Sequence, residues 1–302
     1  MDKQTNQTKA YIFAVTSVFF WATISTAFKL ALKELDFIQL QFISIVIALL
    51  IATVYLIYNK KFKEAFRINK KQFFTSALAA FINPFAYYLI LLKAYSLLPA
   101  QIAQPLNYTW PIVLVLLSAL FLKQKLKLRS IIALLISLLG VFIISSQGQP
   151  ISLKINEPLG VFLALISSVF WAMFWIINLN DKREDIIKLF WNFLLALIYE
   201  IPVIFIFSSF DFHFNKSFFA AIYSGFFEMG ITFIIWMKAL QNAERTDKVS
   251  NLIFLSPVMA LFFIHFILGE KLYYTTYIGF GLILSSIYYI NFKRKKKNVT
   301  IE

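Results

Sequence analysis

The spacing of charged residues is the feature that most constrains how this chain folds. Marking every Asp, Glu, Lys and Arg leaves ten long apolar segments, two of which contain a single acid, Glu200 or Glu228. Each segment has at least about 19 residues, enough for a helix to cross roughly 30 Å of hydrocarbon. Backbone groups in lipid must bond within their own segment, which predicts an all-α membrane protein with ten transmembrane helices. The segments are 10–28, 37–59, 72–92, 94–122, 130–153, 158–180, 189–210, 217–237, 249–269 and 272–292.

The composition excludes a soluble globule of the same length. Hydrophobic residues make up 60% of the 302 residues, the mean hydropathy is +0.74, and only 15% are charged. A soluble domain has about 25% charged residues because its surface must face water. The chain has no cysteine, which excludes disulfides, thiolate catalysis and Cys-ligated metals. We expect no cofactor and no metal site, and we interpret the first apolar segment as a retained helix rather than a signal peptide.

The net charge of +14 does not indicate nucleic-acid binding, because the distribution of the basic residues predicts the orientation of the chain in the membrane. Basic clusters occupy alternate gaps between the apolar segments, at 60–71, 123–129, 182–188 and 293–297. The positive-inside rule then places both termini in the cytoplasm of a multi-pass protein of the inner (plasma) membrane. We expect residues 60–71 and the basic tail 293–302 to contact anionic lipid of the bilayer.

Short motifs recur in the two halves of the chain in the same order. Phe20-Trp21-Ala22 returns as Phe170-Trp171-Ala172, and Lys93-Ala94 returns as Lys238-Ala239. Pro111 and Lys125-Leu126 likewise match Pro257 and Lys271-Leu272, all at offsets of about 145–150 residues. The pattern predicts five-helix repeats over 10–147 and 158–292. An odd number of helices per repeat inverts the second in the membrane, an arrangement typical of secondary transporters.

These motifs resemble the EamA-like branch of the drug/metabolite transporter superfamily over residues 10–292. The paired Phe-Trp-Ala starts, the proline in each fourth helix, and Gly269-Glu270-Lys271-Leu272 followed by Gly279 carry the likeness. Asn107-Tyr108-Thr109-Trp110-Pro111 is similar to a motif of bacterial aromatic amino-acid and methionine exporters in that branch. The resemblance implies export of amino acids or similar small metabolites. Gln124 departs from the family, which often has Glu there, so the first half lacks a charge that would seal a helix end.

Two polar residues at related positions give the sharpest indication of a binding cavity. Glu228 lies near the middle of segment 217–237, and its counterpart in the first half is Asn83, followed by Pro84. Polar groups at membrane depth are costly and are retained mainly in cavities or packed contacts. We therefore expect Glu228 to bind a substrate ammonium or to carry a coupling proton. The alternative is a neutral Glu228 hydrogen-bonded to a neighbouring helix.

Two further titratable residues are weaker candidates for coupling. Glu200 is central in its segment, but its repeat counterpart lies in the apolar second helix, which is peripheral in the resembled family. We expect Glu200 to serve helix packing rather than coupling. His265 lies near the outer end of the ninth segment, where it can reach the interface or relay protons.

Aromatic and amide side chains near mid-span complete the predicted cavity. They can stack on a flat or cationic substrate, or they can be ordinary packing in a chain with 35 Phe. Prolines within the segments can kink a helix and free backbone carbonyls. The cavity set is Trp21, Asn83, Tyr87, Asn107, Tyr108, Trp110, Trp171, Trp175, Glu228, Trp236 and Asn251, with Pro84, Pro111 and Pro257 as kink or gating positions.

We interpret the chain as a secondary transporter and not as an enzyme. It contains no P-loop, GxSxG or HExxH motif, and its loops are too short for a soluble catalytic domain. A carrier or flippase for a nucleotide-sugar or lipid-linked substrate, and a non-transport membrane subunit, remain as alternatives. A flippase would require Arg or Lys deep in the spans to bind its anionic head group. A monomer can hold a complete site for a small-molecule substrate, because both repeats lie in one chain.

Overall fold

The structure is a computed structural model of the 302-residue chain. It describes residues 6–110, 113–114, 116–117, 128–145, 148, 157–179, 181–242, 252 and 255–291. Over these residues the regular elements are helices, and no strand occurs in the described ranges. The all-α prediction is therefore confirmed for the part of the chain that the structure describes.

The α-helices are numbered in chain order. The first group is α1 Gln7–Ala31, α2 Phe37–Tyr58, α3 Phe62–Ala65, α4 Lys70–Ala80, α5 Tyr87–Leu97 and α6 Ala100–Asn107. The second group is α7 Leu128–Ser145, α8 Pro158–Leu179, α9 Asp185–Phe207, α10 Lys216–Ser224, α11 Ile231–Asn242, α12 Leu255–Leu268 and α13 Tyr274–Asn291. Two π-helical segments, π1 Phe81–Ala86 and π2 Gly225–Gly230, join α4 to α5 and α10 to α11.

Six of the described helices are long and apolar enough to cross a membrane. They are Gln7–Ala31, Phe37–Tyr58, Lys70–Leu97, Pro158–Ile177, Asp185–Phe207 and Lys216–Trp236. Each corresponds to one of the predicted apolar segments, and α12 is a shorter apolar helix. The chain is thus a multi-pass helical membrane protein. The total of ten spans and the inverted arrangement stay predictions.

Capping residues set where several spans begin. The side-chain oxygens of Asn6, Asp36, Asn69 and Asn215 accept hydrogen bonds from backbone N–H groups in the first turns of α1, α2, α4 and α10. Asp36 and Asn69 form full capping boxes, with a Gln three residues later. These caps satisfy backbone donors that would otherwise be left unpaired at the membrane interface.

The third span ends later than the charged residues indicate. The predicted segment 72–92 stops before Lys93, whereas α5 continues to Leu97 and turns at Leu98-Pro99. Proline disfavours the α conformation of the residue before it, and Leu98 is extended, with φ −111° and ψ 151°. Lys93 stays helical with its ammonium 5.0 Å from the centre of the Phe37 ring, so a single cation does not end this helix.

Helices α2 and α9 form an antiparallel pair that is tied at both ends. The Ser208 hydroxyl donates to Asp36 at 2.5 Å at one end, and Lys61 pairs with Glu184 at 2.6 Å at the other. The second end is called the basic end, because residues 60–71 lie there. Burial disfavours ionisation of the Asp181 carboxyl at this end, but hydrogen bonds from Arg183 outweigh it, so the pKa of Asp181 is lowered.

Candidate functional site

The two π-helical segments lie near the middle of their spans and locate the site. In π1, Pro84 has no N–H to continue the α-helical pattern, and Asn83 adopts extended angles, with φ −153° and ψ 124°. In π2, Glu228 lies twelve residues after the start of α10 and fourteen before the end of α11. Asn83 is the third residue of π1 and Glu228 the fourth of π2. π-Helical turns are frequent at functional sites because they redirect side chains and free backbone groups.

Helix α2 bonds to two carbonyls of π1. The side-chain amide of Gln41 donates to the carbonyl oxygens of Pro84 and Phe85, at 3.2 and 2.8 Å. Gln41 is fully buried. The N–H that Pro84 lacks would have bonded a carbonyl about one turn earlier, so Gln41 does not replace that bond but ties α2 to π1. Gln41 was not among the predicted site residues, and the apolar second segment was expected to be peripheral.

Glu228 is held between two groups from the first half of the chain. The Tyr88 hydroxyl donates to Glu228 Oε1 at 2.9 Å. The Trp21 indole N–H donates to the Glu228 backbone carbonyl at 3.4 Å. Glu228 is partly buried, whereas Tyr88 is fully buried. The structure therefore brings the predicted Trp21 and Glu228 together, and it adds Tyr88, which the sequence had not singled out.

Six of the seven predicted aromatic residues, all except Tyr108, form one contiguous set around this centre. Trp171 lies at its middle, and Phe233 links it to Trp21, with ring centroids 6.3 Å from Trp171 and 6.0 Å from Trp21. The other centroid distances are 4.9 Å for Tyr87–Trp171, 6.4 Å for Trp110–Trp171, 6.3 Å for Trp171–Trp175 and 5.4 Å for Trp21–Trp236. Rings from α1, α5, α8 and α11 thus surround one region, and flat or cationic groups can stack there.

Asn107 connects the end of α6 to the same region. Its side-chain oxygen accepts from the Tyr87 hydroxyl at 3.3 Å, and its amide donates to Ser167 Oγ at 2.9 Å. Tyr108 follows directly as the C-cap of α6. Asn107 is therefore partnered on both sides of its amide and orients Tyr87 rather than presenting a free group.

The remaining predicted residues lie apart from this centre or outside the described residues. Glu200 is fully buried on α9, and neither of its carboxyl oxygens has a hydrogen-bond partner in the described ranges. His265 is exposed near the end of α12, with Nδ1 3.1 Å from the Glu270 carbonyl oxygen. Pro257 is in the first turn of α12, where the missing N–H of proline is tolerated. Asn251, Pro111 and Gln124 lie outside the described residues.

A narrow cavity of about 10 Å³, room for about one water, lies beside Tyr88 and Met229, towards the basic end, and Glu228 is not among its lining residues. Asn83, Pro84, Tyr88 and Met229 form its wall near mid-membrane, and residues of α8, α9 and α11 complete it. The latter are Phe174, Leu189, Asn192, Phe193 and Phe233. Helix α9 corresponds to the seventh predicted span, which contains none of the predicted cavity residues. Asn192 stands four residues after Lys188, near the start of the predicted segment 189–210, and it was not among the predicted site residues.

Glu270 ties the two halves together at the end opposite the basic end. Its two carboxylate oxygens accept from the backbone N–H groups of Ala100 and Gln101, at 2.9 and 3.2 Å. Lys29 donates to the carbonyls of Tyr95 and Leu98 in the same region, at 2.9 and 3.0 Å. A pocket of about 410 Å³ lined by both Lys29 and Glu270 opens there. The Gly-Glu-Lys-Leu motif therefore places its acid on the N-terminus of α6, where the helix dipole favours a negative charge.

A bundle of membrane-crossing helices that converges on a partly buried carboxylate defines a multi-pass membrane protein of the transporter class. The chain belongs to the EamA-like transporter family, whose model matches it twice, over residues 8–146 and 158–292. It is thereby a member of the drug/metabolite transporter superfamily.

Curated relatives cover most of the chain. An uncharacterized transporter of Archaeoglobus fulgidus is 27% identical over 294 residues, 95% of this chain and 100% of the relative. One from Clostridium kluyveri is 23% identical over 96% of this chain and 94% of the relative. The uncharacterized transporter YoaV of Bacillus subtilis is 24% identical over 64% of this chain and 67% of its own length. A crystal structure of another protein superposes with a TM-score of 0.66 over 94% of this chain and 97% of that chain, at 15% identity, which shows a shared fold.

Proposed function

We propose that this protein is a secondary active transporter that exports amino acids or similar small amphipathic metabolites by alternating access. In this proposal ten helices form two inverted five-helix repeats, over 10–147 and 158–292, around a site at mid-membrane. Both termini lie in the cytoplasm, so the basic end is cytoplasmic. Family membership and the apolar helices support a membrane transporter, and the site supports the substrate class.

The observation that carries the proposal is the partly buried Glu228 carboxylate at mid-span, paired with Tyr88 from the other half of the chain. Ionisable groups at membrane depth are expensive, and they typically mark substrate or ion pathways. A carboxylate accepts hydrogen bonds from a substrate ammonium, and the surrounding rings bind an apolar side chain. An amphipathic amine-bearing metabolite fits both properties.

The chemistry suggests how binding and conformational change are linked. A substrate ammonium or a proton competes with the Tyr88 hydroxyl for Glu228 Oε1. Because Tyr88 belongs to the first half of the chain and Glu228 to the second, occupation of this carboxylate changes a contact between the halves. A ligand shifts a conformational equilibrium only through such a difference in contacts between the two states.

Thermal-shift screening of the purified protein against amino acids and related metabolites tests the substrate class. A specific ligand raises apparent stability by mass action, and we expect aromatic or other apolar amino acids to do so. The stabilisation should be lost in Glu228→Gln and in Trp21→Ala. Folded wild-type protein that no amino acid stabilises would contradict the amino-acid assignment, and peptides, nucleosides and lipid-linked sugars would then be screened.

Direction and topology need separate measurements. Cells preloaded with the stabilising amino acid should lose it faster when they express the protein, and robust uptake without efflux would reverse the assigned direction. The cysteine-free sequence allows single cysteines to be added on a clean background. A cysteine at Lys63 should react with an impermeant thiol reagent only after the membrane is opened. Labelling of intact cells there would contradict the cytoplasmic basic end.

A further inference from the structure

Two open pockets share Lys29 and Glu270 at the end of the bundle opposite the basic end. The larger pocket, of about 410 Å³, is lined by Lys29 and Gln101 from the first half of the chain and by Glu270 and Lys271 from the second. The smaller pocket, of about 200 Å³, extends the same space to Lys33. Small-molecule sites typically have about 300–1,000 Å³, so the larger pocket, called the Lys29 pocket, has room for a metabolite.

The Lys29 ammonium has one donor that the fold leaves unused. It is half-buried and donates to the carbonyl oxygens of Tyr95 and Leu98, at 2.9 and 3.0 Å. An ammonium has three N–H donors, and no third acceptor occurs in the described ranges. Glu270 forms no ion pair with Lys29 among the described residues, and its oxygens accept instead from the first backbone N–H groups of α6. Two carbonyls therefore hold the charge of Lys29 in place without a counter-anion.

The charges around Lys29 favour a negatively charged ligand. Lys33 and Lys271 add two ammonium groups, and Glu270 is the only acid that lines either pocket within the described ranges. Three cations and one anion leave these side chains with a net charge of +2. The ring of Tyr273, 5.7 Å from the Lys271 ammonium, and the turn between α5 and α6 supply apolar surface. A small carboxylate with an apolar group matches this lining.

The Lys29 pocket is separate from the Glu228 centre. Lys29 stands eight residues after Trp21 on α1, which is about 12 Å along the helix axis at 1.5 Å per residue. Trp21 bonds the Glu228 carbonyl, and the buried Tyr95 hydroxyl pairs with Ser25, halfway between Trp21 and Lys29, at 2.8 Å. The ammonium and the carboxylate of an α-amino acid are attached to the same carbon, so one molecule cannot bind Glu228 and Lys29 together.

We propose that the Lys29 pocket is a second ligand site, which binds the carboxylate of a small apolar acid through the unused N–H of Lys29 and the charges of Lys33 and Lys271. Both halves of the chain line it, and substrate paths in transporters run between the halves, which favours a small molecule over a lipid head group. For an exported amino acid, the pocket receives the carboxylate after the ammonium has left Glu228. That role rests on the proposed transport function, whereas carboxylate binding at Lys29 does not.

N-Acetyl-L-phenylalanine tests the pocket apart from Glu228, because it has a carboxylate and an apolar ring but no ammonium. Purified protein in detergent is titrated with it and with phenethylamine, which has the ammonium but no carboxylate, by isothermal titration calorimetry. We expect Lys29→Met, which removes the charge, to weaken the N-acetyl compound by at least about tenfold, as for a hydrogen bond to a charged group. Glu228→Gln should leave that affinity unchanged and weaken phenethylamine instead.

Matched variants separate binding from folding and from overall charge. Lys216→Met removes an exposed ammonium at the start of α10, which a hydrogen bond joins to the end of α1, and should keep the wild-type affinity. Lys29→Arg keeps the charge and the donors and should restore binding. Lys33→Met and Lys271→Met should each weaken binding by about twofold to fivefold, as for exposed charges. These two variants test the pocket even if Lys29→Met does not fold, since neither side chain bonds a backbone carbonyl in the described ranges.

The source of the anion is tested in nanodiscs of phosphatidylcholine with and without phosphatidylglycerol, at high salt to screen the surface charge. The N-acetyl compound should bind equally in both, and displacement by phosphatidylglycerol would assign the pocket to a lipid phosphate and overturn the proposal. If the compound does not bind wild type, or if Lys29→Met binds it as Lys216→Met does, Lys29 serves only to hold the end of α5 and this inference is wrong. If it binds through Lys29 while no amino acid or amine binds through Glu228, the pocket stands and the proposed amino-acid transport is wrong.

Discussion

The two π-helical segments break their helices at comparable depths but with different chemistry. In π1 the break follows from Pro84, and Gln41 of α2 donates to the carbonyls of Pro84 and Phe85. In π2 there is no proline, and Glu228 stands between Gly225 and Gly230. One segment is thus stabilised by the protein itself, whereas the other presents a carboxylate whose partner is the exchangeable Tyr88 hydroxyl.

The difference assigns different tasks to the two halves. A backbone that is hydrogen-bonded by a buried glutamine has little reason to change, so π1 is suited to be a fixed wall. A carboxylate bonded to a tyrosine hydroxyl can exchange that bond for a substrate ammonium or a proton, so π2 is suited to respond to ligand. The comparison also gives α2 a role, because it contacts both segments: Gln41 bonds π1, and Ser44 packs against π2.

Removing the charge of Glu228 should have the largest effect. Glu228→Gln keeps the shape but cannot bind an ammonium as a charged acceptor or carry a proton. We expect transport to fall by at least about tenfold, since hydrogen bonds to charged groups contribute about 1.5–3 kcal/mol. Transport assays at matched expression would measure this, with Glu64→Gln on the exposed helix α3 as the control. Near-normal transport in Glu228→Gln would remove the functional distinction between the two segments.

Filling the space at Gly225 should have the next largest effect, on stability. A Cβ there would lie 2.7 Å from the Ser44 carbonyl oxygen and 2.8 Å from Ser44 Cα, which are backbone atoms that cannot easily move. We expect Gly225→Ala to cost about 1–3 kcal/mol by overpacking and to lower the apparent melting temperature. The same exchange at Gly281, where a Cβ meets nothing within 4 Å in the described residues, should not lower it. Equal effects at both positions would argue against tight packing of α2 on π2.

Removing the Gln41 amide that bonds π1 should have a smaller effect on stability. Gln41→Leu leaves the carbonyls of Pro84 and Phe85 without that donor, at a cost of about 1 kcal/mol, as for hydrogen bonds between membrane helices. Hydrogen exchange of the backbone after Pro84 should become faster. Thr53→Val on the same helix removes a hydroxyl that bonds only its own helix, at Leu49, and serves as the control. Unchanged exchange in Gln41→Leu would show that π1 does not depend on α2.

The sequence predicts a site residue well when that residue differs from the rest of its own apolar segment. It predicts poorly when packing against another helix decides whether the residue belongs to the site. Glu228 and Pro84 interrupt apolar runs, so composition alone singles them out. Gln41 and Asn192 lie near the ends of apolar segments, where polar residues usually face the interface. Only the packing of α2 and α9 against the π segments brings these two inside.

The limits of the helices follow instead from local signals. Capping residues such as Asp36 and Asn69 are local signals, and they lie where the sequence separates its apolar segments. The end of α5 is likewise set by a local signal, because Lys93 remains helical beside the Phe37 ring and the helix ends where Leu98 precedes Pro99. Charge spacing therefore predicts that a span exists and locates its ends to within about one and a half turns, while caps and proline fix its first and last residues.

The smallest effect on transport is expected at the other intramembrane acid, Glu200. It lies on α9 about 12 Å from the Ser208 end, at 1.5 Å per residue, whereas Glu228 lies at mid-span. No partner for its carboxyl oxygens occurs in the described ranges, whereas Glu228 accepts from the Tyr88 hydroxyl. A carboxyl group buried without a partner is stable only in its neutral form, which an amide replaces with little change in shape or charge. We therefore expect Glu200→Gln to transport close to wild type in the assay that separates Glu228→Gln from Glu64→Gln. A loss as large as that of Glu228→Gln, at normal expression and melting temperature, would instead make Glu200 a second coupling residue and extend the responsive region from π2 to α9.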